Sequence, residues 1–75
     1  MRQKLPRVTP DEVTKALVKL GFTVSRQSGS HRIYRNDQGK RVTIPYHKGK
    51  VLHPKVLKSI LRDAELSLDE FQKLL

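Results

Sequence analysis

The chain has no cysteine and no tryptophan, and only two phenylalanines, two tyrosines and one methionine. Without cysteine, disulfide staples and thiolate metal sites are excluded, which suits a reducing compartment. The four aromatic residues, Phe22, Tyr34, Tyr46 and Phe71, are too few and too scattered to form a platform on which bases stack. No apolar run approaches the ~18 residues of a membrane span, and the N-terminus lacks a signal-peptide core. The expectation is a soluble, cytoplasmic protein. No Gly-rich phosphate loop and no Ser-His-Asp set is visible. At 75 residues the chain reads as one small domain over 1–75. Such a domain buries about 60% of the surface that its unfolded chain exposes. A deep cavity for a large cofactor does not fit, so function must lie on the surface or at a rim.

Acid is scarce as well. The formal net charge is +9, and between residues 22 and 62 ten Lys or Arg face a single acid, Asp37. Solubilising surfaces usually mix both signs. One sign this concentrated points to a polyanion, either nucleic acid or an acidic protein.

What is present is a set of well-punctuated elements. In "VTPDEVTKALVKLG", Thr9 can cap a helix, Pro10 fits its first position and Glu12 completes a capping box. Val13, Ala16, Leu17 and Leu20 form an apolar stripe, and Gly21 ends the helix. Three short strands follow: one from Phe22 with Val24 alternating, one over Ser30 to Arg35, and one over Arg41 to Tyr46. A Ser28-Gly29 turn and an "NDQG" hairpin connection, with Gly39 available for positive φ, link them. After the basic loop "HKGKVLHP", with His53 at the entry, Pro54 opens a helix carrying Leu57, Ile60, Leu61 and Ala64 on one face. "SLDE" caps a last short helix with Leu68, Phe71 and Leu75 turned inward. The order is α-β-β-β-α plus a short C-terminal helix, an α+β fold with both main helices on one face of an antiparallel sheet. The opposite face is read as Thr23, Ser25, Gln27, Ser30, Arg32, Tyr34, Arg41 and Thr43. That parity puts His31 on the core side with Ile33, at the rim where it opens its strand.

The chemistry centres on "RQSGSHRIYR", which sets His31 directly after a Gly-Ser pair and among arginines. Cleavage of RNA needs no cofactor, because the 2′-OH beside the scissile phosphate can attack it. A protein must move that proton, stabilise charge on the phosphoryl oxygens and protonate the leaving oxygen. Histidine suits the proton step, and arginine and lysine suit the charge step. Neighbouring cations should favour the neutral base, and bound phosphate should push the other way. Ser30 and the Gly29 backbone can donate to phosphate. A lone histidine in a basic strand is more commonly a plain phosphate contact or a structural residue, so on residues alone both readings stand. The spacing of His31, His47 and His53 matches no zinc pattern. Lys55, Lys58 and Arg62 form a stripe at spacings of three and four, beside Lys48, Lys50 and a helix N-terminus. This row is read as a phosphate contact rather than a merely solvated helix back.

These residues resemble the HicA family of toxin ribonucleases, also called YcfA-like proteins. The likeness runs through "LPRVT", "KALVKLGF", "RQSGSHRIYR", "VTIPYH" and "LKSILRDAELS". Its specific part is the Gly-Ser-His step followed by Ile-Pro-x-His. The resemblance implies a double-stranded-RNA-binding-domain-like fold, an mRNA-cleaving toxin, and a HicB-like antitoxin that covers the active site. In that family the histidine of the Gly-Ser-His step is catalytic, which here is His31. Around it, Arg26, Ser30, Arg32, Lys48, Lys50, Lys55 and Lys58 are the candidate RNA contacts. No metal and no cofactor is expected. For the second proton-transfer group Tyr34, Tyr46 and water all stay open. One departure is that Glu65 stands where the family usually has glycine after the helix, read as a change of cap. The competing reading is a non-catalytic RNA-binding module of the same fold, recognising duplex shape through 2′-OH and phosphate contacts.

Overall fold

The computed structural model describes residues 5–47 and 49–75, so Lys48 lies outside the described residues. The elements follow in the order α1 (Pro10–Lys19), β1 (Thr23–Ser28), β2 (His31–Arg35), β3 (Arg41–Pro45), α2 (Pro54–Asp63) and α3 (Leu68–Leu74). The sheet is antiparallel with β2 in the centre. This is the α-β-β-β-α order with a short C-terminal helix.

Local signals fix the helices. Thr9 caps α1, accepting from the Glu12 amide while the Glu12 carboxylate accepts from the Thr9 amide at 3.0 Å. Ser67 and Glu70 repeat this box on α3. The Ser67 amide and hydroxyl hold the Glu70 carboxyl below its ordinary range. Its cap therefore contributes fully above the ordinary carboxylate range and fades as pH falls through the lowered folded value. His53 caps α2 through Nδ1, which accepts from the Lys55 amide at 3.1 Å. An accepting Nδ1 carries no proton, so the hydrogen of that neutral ring lies on Nε2.

Both main helices end in Schellman motifs. In α1, Phe22 and Gly21 donate to Leu17 and Val18 carbonyls, and Gly21 takes φ 91°. In α2, Leu66 and Glu65 donate to Leu61 and Arg62 carbonyls, and Glu65 takes φ 54°. Glu65 is thus the left-handed C′ residue, so the cap expected to change keeps the form a glycine would give it, and its carboxylate lies 3.5 Å from the Lys40 ammonium.

The core forms where α1, α2 and α3 meet one sheet face. Val13, Ala16 and Leu17 of α1, Leu57, Ile60 and Leu61 of α2 and Phe71 of α3 close on Tyr34, Val42 and Ile44. Tyr34 is 3% exposed, and its hydroxyl lies 3.3 Å from the Thr14 hydroxyl. Two inward assignments do not hold. Leu20 is partly exposed because it has become the α1 C-cap, and Leu75 is exposed because the chain leaves the helix there, with Leu74 packing instead.

The larger correction concerns the parity of β2. Tyr34 pairs with Val42 and Arg32 with Ile44, so Tyr34 and Arg32 lie on the helix-covered face, not the open one. Ile33 and His31 take the opposite face. In "HRIYR" either Ile33 or Tyr34 could have led the pleat, and the bulkier ring won the space between α1 and Val42. Arg32 remains half-buried with its guanidinium 3.8 Å from the centre of the Tyr46 ring. On β1 a bulge at Ser25 interrupts the ladder, with Val24 opposite Tyr34 and Arg26 opposite Ile33. Val24 stays 56% exposed on this edge strand.

Two measurements check this account. Glu65→Gly should raise stability by about 0.5–1 kcal/mol, since only glycine is free of the left-handed cost and the exposed ion pair adds little. Thermal melting should show a gain of about 3–6 °C. A double-mutant cycle on Arg32→Ala and Tyr46→Ala should return a coupling of about 0.5–2 kcal/mol, and no coupling would remove the cation–π contact from the account.

Candidate nucleic-acid interface and active site

His31 owes its position to the turn before it. Ser28 pairs with His31, leaving Gly29 and Ser30 as a two-residue loop. Gly29 takes φ 57° while Ser30 stays at negative φ. Positive φ at the first central residue alone is the requirement of a type II′ hairpin, which glycine meets without strain. The Gly-Ser-His step is therefore a turn that delivers the histidine as the first residue of the central strand. The Ser30 carbonyl accepts from the Tyr46 amide, which extends the β2–β3 pairing past Pro45, the partner of His31.

The face reached by His31 is bare of helices. Across it lie Ser28 and Pro45 beside His31, Arg26 and Thr43 beside Ile33, and Thr23 and Arg41 beside Arg35. His31 is exposed, not half-covered against the core as the parity of its strand had suggested. The three strands carry four arginines and no carboxylate. Ser25, Arg26, Ile33, Arg35 and Arg41 line one shallow depression on this face.

The residues expected to meet RNA divide between two layers. Arg26 lies with His31 on the open side of the sheet, and Ser30 is exposed in the turn that precedes His31. Arg32 points to the other side, over Tyr46. Lys50 is exposed in the loop after β3, and Lys55 and Lys58 are exposed on α2, the helix that covers the opposite face. His47 is exposed and His53 is engaged as the α2 cap. Of the candidate second proton groups, Tyr34 is withdrawn into the core beside Thr14, and Tyr46 lies half-buried against Arg32. Among the described residues no three His, Asp or Glu side chains gather into a metal-holding group.

Arg35 and Arg41 were missed as site residues. The signal was available: they flank the five-residue connection 36–40, "NDQGK", so closing that hairpin sets them opposite one another. The connection is secured by Asn36, whose side-chain oxygen accepts from the Gln38 and Lys40 amides at 3.1 and 2.9 Å.

The geometry is that of a small basic sheet with an exposed histidine at the start of its central strand. No helix among the described residues is long and apolar enough to cross a membrane. No curated protein matches the chain. A family model, described as the HicA toxin of bacterial toxin–antitoxin systems, matches residues 10–66, from the first residue of α1 to just past the α2 cap. That stretch holds the whole sheet, the Gly-Ser-His turn and the left-handed Glu65, and on this match the chain belongs to the HicA toxin family.

Proposed function

We propose that the protein is the toxin of a toxin–antitoxin pair and acts as a metal-independent endoribonuclease on mRNA, with His31 as general acid or base. The observation that carries this reading is the position of His31. It is exposed at the start of the central strand, on a helix-free face whose strands hold arginines and no carboxylate. A histidine kept for packing would be buried, and one kept for capping would resemble His53.

The chemistry follows from the substrate. Attack of the ribose 2′-oxygen on phosphorus forms one P–O bond and breaks the bond to the 5′-oxygen, giving a 2′,3′-cyclic phosphate and a 5′-hydroxyl. His31 takes the 2′-proton or donates the proton that the leaving oxygen needs. Arg26 and the lysines on the loop and α2 hold the backbone, and arginine forks neutralise charge as it builds on the phosphoryl oxygens. A cognate antitoxin partners toxins of this family. A HicB-like antitoxin lying over the open face would silence the enzyme by occlusion, and the basic surface would speed its association if the partner is acidic. On this reading the inhibitor covers the face that carries His31.

The test is cleavage of single-stranded RNA in EDTA by the wild type and His31→Ala, with circular dichroism on both. Removing a general acid or base should lower the rate about 10²- to 10⁴-fold. Stability should change by less than about 0.5 kcal/mol, because the side chain is exposed. Cleavage retained by the variant would sink the role of His31. If neither protein cuts and both bind RNA equally, the non-catalytic binding module is the correct reading.

A further inference from the structure

We propose that Arg35 and Arg41 form a second phosphate subsite on the open face, with Arg26 between it and His31, so that the RNA strand runs along β2 from His31 toward the β2–β3 hairpin. The inference rests on the reading of this face as a nuclease surface, and it adds a direction and a second anchoring point to that surface.

Three observations carry it. The first is parity. His31, Ile33 and Arg35 alternate onto one side of β2, and the register brings Arg26 beside Ile33 and Arg41 beside Arg35. The second is electrostatic. Arg35 and Arg41 are directly opposed on neighbouring strands, an arrangement of like charges that destabilises a sheet. Nothing on the strands compensates, since β1, β2 and β3 contain no Asp or Glu. Glu65, which reaches toward the hairpin, is instead paired with Lys40. The third is shape. The three arginines line one shallow depression together with Ile33 and Ser25, which puts all three beside a common space.

An anion in that space turns a repulsive cluster into a favourable one. Guanidinium forks are suited to phosphate, which they grip through paired N–H donors. Four strand steps separate His31 from Arg35, about 13 Å along β2. That is longer than one nucleotide step, so Arg35 and Arg41 hold a phosphate other than the one being cut. Ile33 lies midway on the same face, half-exposed, as an apolar floor under the intervening nucleotide. The subsite therefore fixes which bond reaches His31 by holding the strand at a set distance from it.

The test uses the full chain and a 2′-O-methyl RNA oligonucleotide, which cannot be cut, with binding followed by fluorescence anisotropy across a salt series. The pair Arg35→Gln with Arg41→Gln is compared with Lys15→Gln with Lys73→Gln, an equal loss of charge on α1 and α3. Each phosphate contact contributes about 0.7 to the slope of log K against log salt for a single strand. The arginine pair should lower the slope by about 1.4, and the lysine pair should leave it unchanged. The arginine pair should also melt no lower than wild type, because a repulsion has been removed. Equal changes in the two pairs, or none in either, overturn the subsite. An acidic protein as the sole occupant of this patch would give that second result. Cleavage assays on the same proteins separate this from the proposed function. If the wild type fails to cut ordinary RNA the nuclease reading falls, and the slope comparison still decides whether the arginines bind RNA. If the wild type cuts, the arginine pair should raise KM more than it lowers kcat.

Discussion

The burial of Tyr34 in the pleat of β2 governs the whole surface. Side chains alternate along a strand, so a ring locked between α1 and Val42 sends every residue an odd number of positions away to the other side. His31 lies three positions before Tyr34 and Arg35 one after it. Both are therefore held on the uncovered face by a packing contact neither of them makes. The hydroxyl contact to Thr14 gives the buried phenol a polar partner, and the register of all three strands follows from this one anchor.

A sheet of three strands with all helices on one side leaves its other side available. In a chain of this size the arrangement separates the two faces: the covered face provides stability and the bare face carries His31 and exposed arginines. Stability comes from a compact apolar set drawn from every element except β1, whose six residues are all exposed. The bare face can then concentrate arginine at a cost in mutual repulsion, because the core does not depend on it. Arg32 shows the boundary between the two roles, with its charge set over the Tyr46 ring and its Nε buried without a hydrogen-bond partner.

How much of this was legible depended on range. Caps, turns and helix faces are written in residues a few positions apart, and Thr9, Glu12, Gly39, Ser67 and the α2 stripe were found where they act. Strand parity is not local. "HRIYR" offers adjacent apolar residues, and the choice between Ile33 and Tyr34 is made by Val42 and α1, both distant in sequence. The bulge at Ser25 hid the register of β1 for the same reason. Consequently motif resemblance supplied the catalytic candidate while the orientation read for it was wrong, and Arg35 and Arg41 emerged only when the strands were paired.

The edges of the sheet carry a different consequence. β1 and β3 both end the ladder with unpaired backbone groups, the usual template for strands of neighbouring copies to join. Here β1 is kinked by its bulge and bears Arg26, while β3 begins with Arg41 and ends in Pro45, which has no N–H to offer. Residues that serve the open face thus also blunt its borders. A sheet left bare on one face is in this way kept from polymerising with itself.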